Sequence, residues 1–398
     1  MRLGVLLSVV FLYPTLLSAH ERVDPASVGL SVSELAPLEQ AISDDIAAGA
    51  LGGATLSIMK DGKLVYHKAY GTRGKGASEG PMRTDDIFRI YSMSKPITSV
   101  AIMKLHEDGK LNIKDPLHKY IPEYKSTTVL VNGAKLPQQQ PITIEDLLRH
   151  TSGIVYGFFG DTPTRTEYKK VNLYDPAQTN KDMALKLASL PLEHQPGTKW
   201  EYSHSTDVLG HVIEIASGQS LGEYVEATIL NPLGMEDTGF HVPEDKQDRV
   251  VEPQYPGLLN PMMKSAYQSG GGGMLSTADD YLTFTSMILN GGSYKGVQIL
   301  KPETVAMMTT DQLGGITPGN YNLLGQGYGF GYGFAVRTDP VAAIAGTVGD
   351  YWWGGYAGTY FWIDPAHDLI VVYMMQAPKL RAPYRPKIRG AVYRALNN

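Results

Sequence analysis

The chain of 398 residues carries a formal net charge of −5, and 43% of its residues are hydrophobic, enough to build a large core. It contains no cysteine, which excludes disulfides, a cysteine nucleophile, thiolate-bound metal and a lipid-modified N-terminal cysteine. Its 35 basic residues are scattered and outnumbered by 40 acidic ones, which argues against nucleic acid and anionic membrane surfaces as partners.

The first residues have the three parts of a secretory signal peptide. Met1 and Arg2 supply charge, Leu3–Leu17 is apolar, and Ser18 and Ala19 are small. We predict cleavage after Ala19 and hence a periplasmic or secreted protein. The apolar run is too short for a retained anchor and no later run is long enough to span a bilayer. We therefore expect no stable membrane anchor after cleavage.

A predicted β-hairpin contains the first of two S-x-x-K sequences. Ala54–Lys60 and Lys63–Tyr70 have the pattern of strands, and the Asp61-Gly62 pair between them is typical of a tight turn. Residues three apart in a strand point to opposite faces, so Lys60 cannot take a proton from Ser57. We predict a structural role for Ser57.

The second S-x-x-K sequence, Ser92-Met93-Ser94-Lys95, lies between an apparent strand at Asp86–Tyr91 and a helical pattern from Pro96 to Asp108. A serine and a lysine three apart at a helix start share one face. The lysine amine can then take the serine proton, as a nucleophilic serine requires when no histidine serves it. This placement predicts a serine hydrolase that works through an acyl-enzyme, although S-x-x-K also arises by chance.

A tyrosine follows a turn-rich segment in the middle of the chain, within Tyr202-Ser203-His204. A tyrosine hydroxyl beside a lysine ammonium can be held as a phenolate and act as a general base. The chain has 24 tyrosines, however, so any one of them is by default a packing or surface residue, and spacing alone does not raise Tyr202 above that.

Ser220 lies in a G-x-S-x-G sequence, the nucleophile elbow of α/β-hydrolases, which requires a strand before it. The preceding segment, Val208–Ala216, has mostly helical spacing instead. Ser220 and Glu223 also have the spacing of a capping box. We predict that Ser220 caps a helix and is not a nucleophile.

Trp353-Gly354-Gly355-Tyr356 leads into a predicted strand at Thr359–Ile363. Glycines there would let a substrate lie against the backbone, and free N–H groups could bind an oxyanion. An ordinary glycine-rich hairpin connection is the alternative, and this segment taken by itself favours that alternative.

Predicted strands at both chain ends flank a mostly helical middle. The predicted helices are Ser31–Ala48, Pro96–Asp108, Ile142–His150, Lys181–Leu190, Thr206–Ala216, Leu221–Leu230, Thr277–Leu289 and Tyr384–Leu396. The late predicted strands are Tyr328–Val336, Thr359–Ile363 and Leu369–Met375. We predict an α/β plus all-α fold, with an antiparallel sheet flanked by helices, built from both chain ends, and an inserted helical lobe. After the signal peptide at 1–19, the α/β domain would be discontinuous (20–114 and 277–398) and the mainly helical domain would span 115–276.

In chain order, these segments resemble the motifs of serine β-lactamases and penicillin-binding proteins, most closely class C β-lactamases and family VIII carboxylesterases. The resemblance covers nearly all of the mature chain and implies the β-lactamase/transpeptidase-like fold. The segments that carry it are Phe88–Pro96, Leu147–Gly153, Pro196–Gly210, Gly270–Ser276 and Trp353-Gly354-Gly355, the last where β-lactamases have K-T-G.

The resemblance implies catalytic roles for particular residues. Ser92 would be the acylated nucleophile, and Lys95 and Tyr202 would share its activation, with the identity of the base left open. The backbone N–H groups of Ser92 and Tyr356 would form the oxyanion hole. No cofactor is implied, and the ten histidines form no H-E-x-x-H motif that would support a metal site.

Two departures from the β-lactamase pattern bear on the substrate. Trp353 replaces the lysine that meets the substrate carboxylate, and His204 replaces an asparagine that bonds the substrate amide. Loss of a buried charge partner weakens binding of a charged ligand. We therefore expect a small uncharged ester, bound by His204, Trp353, Gly354 and Gly355. The resemblance to family VIII carboxylesterases implies a preference for short acyl chains. A β-lactamase or D,D-peptidase-like amide hydrolase, a transacylase, and a penicillin-recognising sensor or non-catalytic binding protein remain alternatives, and the oligomeric state is open.

Overall fold

The computed structural model describes residues 20–74, 79–320 and 323–396. The predicted signal peptide lies outside these ranges. Within them, no helix is both long and apolar enough to cross a membrane.

A seven-stranded antiparallel sheet lies at the centre of the protein. The strands, including those of three small two-stranded sheets, are β1 (Gly53–Lys60), β2 (Lys63–Gly71), β3 (Phe88–Arg89), β4 (Thr128–Val131), β5 (Ala134–Pro137), β6 (Leu275–Ser276), β7 (Ser293–Tyr294), β8 (Val297–Gln298), β9 (Tyr328–Phe330), β10 (Ala335–Arg337), β11 (Tyr351–Gly354), β12 (Tyr360–Asp364) and β13 (Leu369–Met375). The central order is β2-β1-β13-β12-β11-β10-β9. Because β13 pairs with both β1 and β12, the two ends of the chain form one sheet, as predicted.

Helices pack against this sheet and against one another. They are α1 (Ala36–Ala47), α2 (Ser94–Glu107), α3 (Ile144–Leu148), α4 (Pro163–Lys169), α5 (Asn180–Ala188), α6 (Ser205–Ser217), α7 (Leu221–Val225), α8 (Asn231–Leu233), α9 (Ala278–Leu289), α10 (Pro302–Thr309) and α11 (Arg381–Leu396). Helix α9 contacts β1 and β13, and α1 contacts β2 and α11, while α6 contacts α2, α3, α5 and α7. The architecture is therefore the predicted antiparallel sheet flanked by helices with a helix-rich middle segment. The boundaries of the two domains stay a prediction.

The predicted single strand Tyr328–Val336 is wrong. The chain forms two short strands, β9 and β10, that pair with each other, with Ala335 opposite Phe330. Between them Gly333 has a φ of +97°, a left-handed conformation that glycine adopts without steric cost and that lets the chain reverse. The apolar alternation on both sides of this turn gave no sign of the reversal.

The local structural roles predicted for Ser57 and Ser220 are confirmed. Ser57 is fully buried in β1 and its Oγ lies 2.8 Å from His67 Nδ1, while Lys60 is paired with Asp61. Ser220 caps α7 through a capping box with Glu223, whose N–H donates to Ser220 Oγ at 3.3 Å. Both hydroxyls serve local structure.

Candidate active site

Ser92 and Lys95 meet at the start of α2. A 3₁₀ turn at Tyr91–Met93 leads directly into this helix, so the two side chains lie one turn apart. Lys95 Nζ is 3.4 Å from Ser92 Oγ, and Lys95 is only 1% exposed. Within the described ranges, no carboxylate lies at ion-pair distance from this amine. Its position is set instead by the Gly271 carbonyl at 2.6 Å and the Tyr156 hydroxyl at 3.1 Å.

The backbone that presents Ser92 is held in a strained conformation. Tyr91 has a φ of +44°, which is unusual for a side chain of this size. The Tyr91 hydroxyl accepts a hydrogen bond from the N–H of Leu259 at 2.9 Å, and the Ile90 carbonyl accepts one from Thr359 Oγ1 at 3.2 Å. A residue keeps such a strained conformation only where several surrounding contacts fix it, and this is common at functional sites.

Tyr202 lies beside the lysine with an unused hydroxyl. Its side chain is 5% exposed, and Lys95 Nζ sits 4.7 Å from the centre of its ring. The ring packs edge-on against Trp353 at 5.1 Å and against His150 at 5.0 Å. No described residue forms a hydrogen bond with the Tyr202 hydroxyl. A buried polar group without a partner calls for an explanation, and the proton-transfer role of Tyr202 stays a prediction.

Tyr156 is a site residue that sequence reasoning missed. Its hydroxyl accepts the Lys95 hydrogen bond, and its ring lies 5.2 Å from that of Tyr202. Burial raises the pKa of Tyr156 well above its usual range, and Tyr202 and Asp207 act in the same direction. The phenol therefore stays neutral. The only indication in the sequence was that Tyr156 lies three residues after Gly153, the end of the Leu147–Gly153 segment that resembles β-lactamases.

Sequence reasoning also missed a buried carboxylate, Asp207, in the first turn of α6. Asp207 Oδ2 lies 2.9 Å from His204 Nδ1, and Oδ1 accepts hydrogen bonds from Ser269 Oγ at 2.5 Å and from the Gly271 N–H at 3.1 Å. Burial alone would raise the pKa of Asp207, but the His204 hydrogen bond and the charges of His204 and Lys95 lower it to about 2. Asp207 is thus an ionised carboxylate that holds the segment whose carbonyl positions Lys95.

The segment Trp353-Gly354-Gly355, called the third motif below, lies next to the turn that carries Ser92. A Cβ on Gly355 would lie 2.4 Å from the Ile90 carbonyl and 2.2 Å from Thr359 Oγ1, so this approach requires glycine. The ring of Tyr356 meets that of Tyr91 edge-on at 5.6 Å. Neither the Ser92 nor the Tyr356 N–H donates to an acceptor among the described residues. Both donors are free for a ligand, and their oxyanion role stays a prediction.

A cavity of about 610 Å³ opens at Ser92. Of the predicted site residues, Ser92, Tyr202, His204, Tyr356 and the Trp353–Gly355 segment line it, while Lys95 lies buried behind Ser92. Its aromatic wall consists of Tyr91, Tyr156, Phe158, Phe159, Tyr174, Tyr202, Phe240, Tyr267, Trp352, Trp353 and Tyr356. A cavity of this size and apolar character suits a small organic molecule. The described part of the chain holds no cluster of three or more residues suited to binding a metal ion.

Comparison with known proteins shows relatives across most of the chain. A family model described as Beta-lactamase matches residues 38–393. Protein Rv1367c of Mycobacterium tuberculosis is 37% identical over 353 residues, which cover 83% of this chain and 86% of that protein. Esterase EstB of Burkholderia gladioli is 31% identical over 408 residues, 93% of this chain and 98% of its own. The solved structure of EstCE1, a hydrolase with promiscuous acyltransferase activity, has a TM-score of 0.76 at 27% identity and covers 91% of this chain and 100% of its own.

Proposed function

The chain belongs to the beta-lactamase family and is a hydrolase of that fold, and we propose that it is a serine carboxylesterase acting through an acyl-enzyme on Ser92. The observation that carries this proposal is the 3.4 Å approach of the buried Lys95 amine to Ser92 Oγ at the floor of an aromatic cavity. The likeness to Esterase EstB supports an ester as the substrate.

The lysine and the tyrosine would activate the serine as a coupled pair. As Ser92 Oγ bonds to the ester carbonyl carbon, its proton passes to the Lys95–Tyr202 pair. The pair returns the proton to the departing alcohol as the C–O bond breaks. Water then attacks the acyl-enzyme with the same help and releases the acid. The neutral Tyr156 would hold the Lys95 amine in place.

Negative charge on the tetrahedral intermediate would be stabilised by two backbone donors. The Ser92 N–H lies at the positive end of α2, and Tyr356 lines the same cavity as Ser92. Donors preset in this way typically account for a factor of about 10² to 10³ in rate.

The third motif supports an ester without charge beside the reacting carbonyl. Trp353 stands where β-lactamases carry lysine, is 2% exposed and packs against Tyr202. A substrate carboxylate at that point would face an aromatic ring instead of a cation. Dedicated β-lactam or D,D-peptide hydrolysis is thereby disfavoured, and the preference for short acyl chains is proposed on the likeness to esterases alone.

The proposal is tested by fluorophosphonate labelling with peptide mapping. We expect the label on Ser92, and we expect Ser92→Ala to abolish both labelling and hydrolysis of nitrophenyl butyrate. Ser57→Ala and Ser220→Ala are the matched controls and should keep most of the activity. A label on Ser220, or a chromogenic cephalosporin hydrolysed as fast as the butyrate, would contradict the proposal. Product release beyond one equivalent excludes a sensor that acylates and stalls.

A second candidate activity is acyl transfer to an alcohol. It is favoured by the likeness to EstCE1 and by an apolar cavity that an alcohol can enter in place of water. Product analysis with added alcohols would show the transfer ester alongside the acid.

A further inference from the structure

The mouth of the cavity carries a group of exposed apolar side chains. Twelve large hydrophobic side chains are exposed among the described residues, and five of them line this cavity. We call these five the collar: Phe158, Tyr174, Leu259, Met263 and Tyr356. Single exposed apolar residues are normal, but a group of them around an opening marks a surface that binds a partner.

Contacts join the segments that supply the collar. The rings of Phe158 and Tyr174 lie 6.5 Å apart. Ser265 Oγ donates to the Pro176 carbonyl at 2.9 Å, which ties the loop that carries Met263 to the segment that carries Tyr174. This half of the collar is therefore one connected surface.

The same loop reaches the third motif through Leu259. Its N–H donates to the Tyr91 hydroxyl at 2.9 Å, and the Tyr91 ring meets that of Tyr356 at 5.6 Å. The collar thus runs without a break from Phe158 to Tyr356 along the opening above Ser92.

Basic side chains without ion-pair partners lie beside the collar. Lys264 is exposed next to it in the sequence, and Lys379 lies over the exposed ring of Tyr255, with Nζ 5.8 Å from the ring centre. The Arg381 guanidinium lies 5.0 Å from the centre of the Tyr356 ring. Within the described ranges, none of these three cations has a carboxylate at ion-pair distance.

Acidic groups offset only part of this positive charge. Asp207 is the one acidic residue among the described lining residues and is held by His204, while Glu252 is paired with Arg89. Asp175, beside the collar, forms no ion pair within the described ranges, so three cations face one free carboxylate. Composition argued against an anionic surface as a partner because it does not show that the fold gathers these cations at one opening.

We propose that the collar and its cations dock the protein on a lipid surface that presents phosphate groups, so that the ester reaches Ser92 from the lipid phase. At such a surface, apolar and aromatic side chains enter the boundary with the acyl chains, while lysine stems extend so that their ammonium groups reach the phosphates. Lysine is depleted in protein–protein interfaces, so these cations favour a lipid partner. Delivery of the ester rests on the proposed esterase function, whereas the docking itself does not.

Co-sedimentation with vesicles tests the docking. Vesicles of phosphatidylcholine are compared with vesicles that also contain anionic phosphatidylglycerol. We expect wild type to bind both, the anionic vesicles more tightly, and this difference to shrink as salt is added because salt screens the cations. Ser92→Ala should bind as wild type does, since docking requires no catalysis.

Two variants separate the apolar contribution from the charge. Met263→Ser should weaken binding to both kinds of vesicle about tenfold, because less apolar surface is buried. Lys264→Gln combined with Lys379→Gln should weaken binding to the anionic vesicles about fivefold per charge and leave turnover of dissolved nitrophenyl butyrate unchanged. Val341→Ser and Lys301→Gln are the matched controls, because both residues are exposed and neither lines the cavity; both variants should bind as wild type does.

Tributyrin dispersed with phosphatidylglycerol tests the delivery, because this short-chain ester forms droplets above its solubility limit. We expect the wild-type rate to rise steeply once droplets appear, and Met263→Ser to lose part of that rise. A rate that passes through the solubility limit without a rise would overturn the delivery.

The outcomes separate the docking from the esterase proposal. If wild type binds neither kind of vesicle, or if Met263→Ser and the lysine variant bind as tightly as wild type, the docking surface does not exist. If no vesicle is bound and Met263→Ser changes the oligomeric state, a second copy of the chain covers the collar and the lipid proposal is wrong. If wild type binds vesicles but hydrolyses no ester, the esterase proposal fails and the docking stands.

Discussion

Replacement of Asp207 by asparagine should reduce both stability and activity. The fold lowers the pKa of this carboxyl from 3.8 to about 2, so the folded state favours its ionised form by about 2 kcal/mol. Asp207 is 3% exposed, so water screens little of this effect. Asparagine keeps the size of the side chain but loses the charge, and its amide presents a donor where Ser269 and Gly271 also donate.

The sign of the pH dependence follows from the direction of the shift. A carboxyl whose pKa is lower in the folded than in the unfolded state stabilises the protein above pH 3.8, and this contribution is lost as the pH falls through 2. We expect Asp207→Asn to lower the free energy of unfolding by about 2 to 3 kcal/mol at pH 7. The difference from wild type should shrink between pH 4 and pH 2.

The same substitution should slow ester hydrolysis. Without the carboxylate, the Gly271 N–H loses its acceptor, and the carbonyl of Gly271 no longer holds Lys95 Nζ as firmly. A loss of about 1.4 kcal/mol in transition-state stabilisation corresponds to a tenfold fall in kcat. We expect a fall of at least this size with little change in KM.

Chemical unfolding at pH 7 and thermal unfolding at pH 4, 3 and 2 measure the stability effect, and initial rates measure the activity. Asp161→Asn is the control, because Asp161 is 90% exposed and its pair with Lys169 is at the surface, where ion pairs contribute little. If Asp207→Asn were as stable as wild type at pH 7, or if its deficit persisted at pH 2, the electrostatic account of Asp207 would be wrong.

Three further outcomes are expected. Tyr156→Phe should lower kcat for nitrophenyl butyrate about tenfold and leave the fold intact, because Lys95 loses one of its acceptors; unchanged rates would remove Tyr156 from the site. Burial raises the pKa of Asp280 to about 7, so its contribution to stability is complete below pH 3.8 and is lost as the pH rises through 7. Asp280→Asn should therefore gain stability over wild type between pH 4 and pH 7, by up to about 1.4 kcal/mol per pH unit, and equal gains at pH 5 and pH 8 in chemical unfolding would contradict this. Gly355→Ala should reduce kcat more than stability, since its methyl group would meet Ile90 and displace the turn of Ser92; activity equal to wild type would show that the turn can move without cost.

Local patterns in the chain were sufficient for much of the fold. The period-2 pattern of Ala54–Lys60 identified a strand and excluded Ser57, while the helical pattern after Lys95 placed Ser92 one turn from its lysine. Ser220 and Glu223 identified a helix cap in the same way. Such features depend on residues a few positions apart, so the sequence can report them directly.

Contacts between distant segments could not be read from these patterns. Lys95 is positioned by Tyr156, 61 residues away, and by Gly271, 176 residues away. In a chain with 24 tyrosines and 40 acidic residues, composition does not distinguish Tyr156 or Asp207 from residues that only pack or lie at the surface.

The sequence by itself predicted Ser92 as the nucleophile with Lys95 one turn away, and it determined the sheet built from both chain ends, because each rests on local periodicity or on ordered motifs. Only the tertiary structure decided which groups surround that lysine. Tyr156 and Gly271 lie far from Lys95 along the chain, and they reach its amine only when the segments that carry them pack together.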